Sequence, residues 1–127
     1  MTGTVTDELT LRAVSAPAFS WIRGMLLVWP GGSGRVMDVD GQEVVLSEYA
    51  GGGDAPLHEV VIDFKDWATL GCLLRLVRGA WVDMTVHTTL ASRGEEWLCS
   101  GDLAGAHHGT TEGEALVAAL EAAWKEL

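Results

Sequence analysis

Two adjacent histidines, His107 and His108, precede a Gly, two Thr and two Glu in "AHHGTTEGEALVAAL". Imidazole is a common zinc ligand, but zinc ligands recur at spacings such as CxxC or HxxxH, and neither occurs in this chain. Adjacent side chains of an extended segment point to opposite sides. The two rings are therefore not expected to share a metal, and "AHH" reads as a polar approach to a helix. His87 and Cys99 are the next pair to weigh, because a thiolate beside an imidazole can act as a nucleophile. Strand register decides it. Placing His87 opposite Cys99 would set Val82, Met84 and Val86 against Glu96, Ser100 and Asp102. A slip of one residue puts Val86 opposite Cys99 and Thr88 opposite Trp97, gathers the apolar faces, and removes the pair. Cys99 then reads as core, as does Cys72.

Asp38, Asp40 and Glu43 lack the ligand-dense spacing of a calcium loop and read as an acidic turn. "GGSG" is followed by no Gly-Lys-Ser/Thr, so it is no phosphate loop, and no GxSxG nucleophile elbow is present. No catalytic residue, cofactor site or metal site is assigned, and the chain is not expected to be an enzyme. Six tryptophans fit mainly core packing. Trp29 and Trp67 lie at element ends and are the candidates for exposed anchors of a protein interface.

The elements that would carry these residues follow from pattern. Glu8–Val14 reads as a short helix or turn, Ala18–Arg23 as a helical turn, and Met25–Trp29 as a strand stopped by Pro30. Gly31, Gly32 and Gly34, like Gly51 to Gly53, read as loops. Arg35–Val39 and Glu43–Tyr49 form a hairpin across Asp40-Gly41. A strict two-residue loop there would oppose Asp38 and Glu43, so a longer loop or a bulge is expected. "HEVVIDF" adds a further strand. "DWATLGCLLRLVRGAW" is the clearest helix. Asp66 caps it, Leu70, Leu73, Leu74, Val77 and Trp81 form its apolar face, and Gly79 supplies its left-handed exit. A second hairpin spans Val82–Leu90 and Glu96–Leu103. Thr111 and Glu114 have capping-box spacing and open a terminal helix whose stripe is Leu116, Leu120, Ala123, Trp124 and Leu127. Glu121 and Lys125 are spaced as an i,i+4 ion pair. The sum is an α+β fold, an antiparallel sheet of two hairpins (about five strands) packed by two amphipathic helices. One domain over residues 1–127 is expected, with residues 1–7 frayed.

Composition bounds the partners. The formal net charge is −10, which opposes direct nucleic-acid binding and docking on an anionic membrane. The start, "MTGTVTDELTLR", has neither the basic nor the apolar region of a secretory signal, and no apolar run is long enough to cross a bilayer. Two cysteines without a CxxC neighbour fit reduced thiols in the cytoplasm.

"DWATLGCLLRLVRGAW" (Asp66–Trp81) and "GTTEGEALVAALEAAW" (matched over Thr111–Trp124) together resemble small uncharacterised proteins encoded by phages and prophages, with "GRVMDVDG" a looser third point. Those proteins carry an Asp-x-Ala-Thr-x-Gly-Cys-Leu helix and a terminal Thr-Glu-x-Glu-Ala-Leu helix. Many have Pro where this chain has Trp67. The resemblance implies a mobile-element setting in a bacterial host cell and brings no activity or site residues. The expectation is an acidic accessory protein that acts on a protein partner, basic in one version, with inhibition of a host defence complex as a specific form. The rivals are an enzyme or small-molecule binder with a pocket built from His58, His87 or Asp83, and a self-associating structural protein.

Overall fold

A computed structural model of the chain describes residues 7–29, 32–40, 43–46, 61–91, 94 and 96–126, with the side chains of 38–40, 43–46 and 124–126 outside the description. Residues 1–6, Pro30, His58, Gly51 to Gly53 and the Tyr49 end of the first hairpin lie outside the described residues, as do the side chains of Lys125 and Trp124. The fold is α+β. Among the described residues the strands form two antiparallel sheets and not one, a four-stranded sheet and a three-stranded sheet, with three helices. The chain divides into two compact units, Met1–Leu11 with Trp21–Cys72, and Arg12–Ser20 with Leu73–Leu127.

The first unit holds the start of helix α1 (Glu8–Ser15), strands β1 (Leu26–Trp29), β2 (Gly32–Asp40), β3 (Glu43–Leu46) and β4 (Val61–Ile62), and the start of helix α2 (Trp67–Trp81). Its sheet runs β3-β2-β1-β4. Gly32 and Gly34 are strand residues, opposite Trp29 and Leu27, and not loop. Ladder hydrogen bonds outweigh the entropy cost of a strand glycine there. The β2–β3 connection is two residues long, because Asp40 is opposite Glu43, and the expected bulge sits further along, between Val36 and Asp38. Asp38 is thereby opposite Val45. No helical turn covers Ala18–Arg23. Single turns close at Phe19 and Met25, and Gly24 takes φ 108° between them. Buried Met25, Leu27, Val36 and Ile62 make the core of this sheet.

Polar side chains lock the same unit. The Asp66 carboxylate caps α2 by accepting from Thr69 N at 3.0 Å, and it also meets Arg35 in a two-pronged pair at 2.7 and 3.1 Å. Arg35, with smaller help from the Thr69 bonds and against the opposing effect of burial, holds that carboxyl below its ordinary range. Thr69 Oγ1 accepts from Leu26 N at 2.9 Å, which ties β1 to the helix start. Asp7 caps α1 through Thr10 N at 2.7 Å, and Thr10 Oγ1 accepts from Ile62 N at 3.0 Å.

The second unit holds the end of α2, strands β5 (His87–Leu90), β6 (Trp97–Gly101) and β7 (Gly105–Gly109), and helix α3 (Glu112–Glu126). The sheet order is β5-β6-β7. The expected hairpin is shorter at both ends. Val82 and Met84 are 80% and 77% exposed and precede the strand, while Val86 is buried. The helix runs past Gly79 to Trp81, and Val82, not Gly79, takes the left-handed exit at φ 51°. The "AHH" segment is strand β7 and not a loop.

Helix α3 buries Ala115, Leu116, Val117, Ala119, Leu120 and Ala123, a stripe wide enough to cover one sheet face. Thr111 Oγ1 accepts from Glu114 N at 3.1 Å, half of the expected capping box. The Glu114 carboxylate instead accepts from Thr110 Oγ1 at 2.9 Å. Glu121 pairs with Arg12 at 2.7 Å, a partner from outside its own helix. Trp81 Nε1 donates to the Ala119 carbonyl at 2.9 Å, so the last turn of α2 is pinned to α3. Among the described residues no helix is long and apolar enough to cross a membrane.

Candidate interaction surface

The turn after α2 is built around one carboxylate. Asp83 is 4% exposed. Its Oδ1 accepts from Thr85 N at 2.9 Å and from Thr85 Oγ1, and its Oδ2 accepts from Leu103 N at 2.8 Å and Ala104 N at 3.2 Å. Thr85 Oγ1 in turn accepts from Asp102 N at 2.9 Å. These bonds stabilise the anion, led by that from Thr85 Oγ1 and opposed by burial, and hold the Asp83 carboxyl at about 2. Gly101 makes room for the carboxylate. A Cβ there would stand 2.5 Å from Asp83 Oδ2.

The carboxylate thus staples two loops of the second unit, 82–86 and 102–104. The side chains that flank it on those loops point into solvent. Val82 is 80% exposed, Met84 77% and Leu103 67%. A β-branched residue at positive φ is a strained outlier, costing on the order of 1–3 kcal/mol, and Val82 takes that conformation, at φ 51°, with its side chain exposed. Backbone held by three N–H bonds to one side chain loses little further entropy on binding, which favours association. Asp83-x-Thr85 is an Asx-type turn signal. Sequence reasoning passed over it because Val82, Met84 and Val86 alternate as a strand would.

The histidines do not converge. His87 Nδ1 donates to the Thr85 carbonyl at 3.0 Å. His107 Nε2 donates to the Ala104 carbonyl at 2.8 Å, with its ring 5.9 Å from that of Trp81. His108 Nδ1 lies 2.7 Å from Glu96 Oε1. Being adjacent on a strand, His107 and His108 face opposite sides of the sheet. Among the described residues no three His, Cys, Asp or Glu side chains gather to hold a metal.

Thr88, not Val86, is opposite Cys99, and His87 is opposite Ser100. The register differs by two residues from the expected one. It preserves the expected faces and keeps His87 on the other side from Cys99. Burial pushes the Cys99 thiol up to about 11, with Arg78 opposing and Glu112 reinforcing. Such a thiol is a poor nucleophile.

Of the two tryptophans singled out from the sequence, Trp67 is 87% exposed at the first position of α2. Trp29 is half-buried at the end of β1. Neither adjoins the Asp83 turn in sequence, and Met84 and Leu103 were not foreseen as exposed. Of the three residues weighed for a small-molecule pocket, Asp83 is occupied by main-chain amides, His87 is exposed, and His58 lies outside the described residues. No family model matches the chain, and neither a curated protein nor a solved structure gives a significant match.

Proposed function

We propose that this chain is a non-enzymatic accessory protein of a phage or mobile element that acts in the bacterial cytoplasm by contact with another protein. The observation that carries the contact reading is the Asp83-stapled pair of loops presenting Val82, Met84 and Leu103 to solvent. Exposed apolar side chains on pre-ordered backbone are what a hot spot needs. The exposed Trp67 is a further anchor in this reading. The mobile-element setting rests on the resemblance of the α2 and α3 segments. Inhibition of a host defence complex is its most specific form.

The test is affinity capture from host lysate with the native chain and with Met84→Asp/Leu103→Asp. Both side chains are exposed, so circular dichroism should show an unchanged fold. A partner retained by the native chain, reduced in yield by Trp67→Ala and reduced at least tenfold by the double variant, supports the reading. A partner held equally by the double variant overturns it. Expression in a host carrying an active defence system should raise phage plating efficiency, and unchanged plating removes the defence form. A solution mass of two copies, abolished by the double variant, would make the surface a self-association site instead.

A further inference from the structure

Strand β5 is the edge of the three-stranded sheet. Its ladder continues to Ala91, whose N–H donates to the Glu96 carbonyl at 2.7 Å. In an antiparallel pair, hydrogen-bonded positions alternate. Counting back from Ala91, Thr89 and His87 bond to β6, while Leu90, Thr88 and Val86 turn their N–H and C=O groups outward. The Val86 carbonyl is taken by Arg78 Nε at 2.9 Å. Among the described residues nothing meets the outward groups of Thr88 and Leu90. Edge strands of soluble proteins are commonly blunted by Lys, Pro or a bulge. "HTTL" carries no lysine or proline, and its register with β6 is unbroken.

We infer that β5 accepts an extended, Lys/Arg-bearing segment of a partner protein as an added antiparallel strand. Charge selects the occupant. The Glu112 carboxylate accepts from Thr88 Oγ1 at 2.7 Å, which puts an anionic group beside the Thr88–Leu90 half of the edge. A second copy would bring another chain of net charge −10 to this edge, whereas a basic strand would be drawn in. Leu90, 51% exposed, adds an apolar contact that the opposite edge, with Ala106 and His108 turned outward, lacks. None of Val82, Met84 and Leu103 lies on β5, so this edge extends the contact reading and does not depend on it.

The probe is an alternating Lys-Val peptide of roughly ten residues, enough to span an ordinary strand, titrated onto the full chain. Expected are slowed amide exchange at Thr88 and Leu90, at least tenfold loss of binding in Leu90→Pro, about threefold loss in Leu90→Ala, and no loss in Met84→Asp/Leu103→Asp. Proline at an outward-facing edge position removes the donor and leaves the β5–β6 ladder intact. Equal losses in Leu90→Pro and Leu90→Ala would overturn main-chain pairing. So would unchanged exchange at the two amides of the native chain, a readout that holds if Leu90→Pro fails to fold. Equal binding of a Glu-Val peptide would overturn the charge selection. A concentration-dependent dimer of the native chain, lost in Leu90→Ala or Leu90→Pro, would show that the occupant is a second copy and overturn the proposal.

Discussion

Asp83 and Asp66 are both structural carboxylates, but they are held differently. Asp66 meets a guanidinium, whereas Asp83 is held by amides and a hydroxyl. For Asp83 the folded state lowers the carboxyl from 3.8 to about 2. A depressed folded value means that the stabilisation is fully present above the unfolded value and is lost as pH falls through the folded one. Asp83→Asn should therefore lower Tm at neutral pH, since the amide group turns a donor toward amides that also donate. The difference from the native chain should shrink as pH falls from about 5 to about 2. Thermal melts of both proteins across that range check it, and a constant difference would mean that the carboxylate charge is not what holds the loops. The aspartate was visible in the sequence as one of three residues that could build a small-molecule pocket. Its role was not, because the amides it binds come from Leu103 and Ala104, twenty residues on, and only the fold brings them close.

At the scale of elements, legibility followed side-chain chemistry. The helix caps at Asp66 and Thr111 were legible because capping is local, a side chain meeting an N–H three residues on. Strand β7 was illegible because its sheet-facing positions, Gly105, His107 and Gly109, carry no apolar alternation. The reason lies in packing. At Gly109 a Cβ would fall 2.5 Å from Ala115 N and 2.8 Å from the Glu114 carbonyl carbon. The first turn of α3 approaches the strand that closely, so an apolar side chain cannot stand there. Gly109→Ala must push the helix start away or bend the strand, a form of overpacking that costs about 1–3 kcal/mol. Chemical denaturation should show this loss, whereas Gly105→Ala leaves open space around its Cβ and is strained by its φ of 72° alone. An unchanged midpoint for Gly109→Ala would mean that the close approach is not maintained in solution. The exit of α2 misled in the same way. Gly79 has the right chemistry to end a helix, yet Val82 ends it, because the Arg78 carbonyl is satisfied by Asp83 N at 3.0 Å, four residues beyond the glycine.

Across the whole molecule the excess of acid is the dominant long-range term. Eighteen Asp and Glu face eight Lys and Arg. Two of the basic residues, Arg12 and Arg35, are engaged in ion pairs at 2.7 Å. Salt weakens both favourable and unfavourable interactions, but at different ranges. Close, partly buried pairs are screened little, while repulsion between carboxylates spread over the surface acts across distances comparable to the Debye length, about 10 Å at 0.1 M. Self-repulsion of an unbalanced chain destabilises its compact state. Raising KCl from about 0.02 to 0.5 M at neutral pH should therefore raise Tm by a few degrees, read by differential scanning fluorimetry. Chloride is the appropriate anion, because sulfate would stabilise any fold by exclusion and hide the effect. A Tm that falls with salt would mean that Arg12–Glu121 and Arg35–Asp66 outweigh the excess of acid. The surface field would then be weaker than the formal charge suggests, and a basic partner would lose the electrostatic steering expected to speed its arrival.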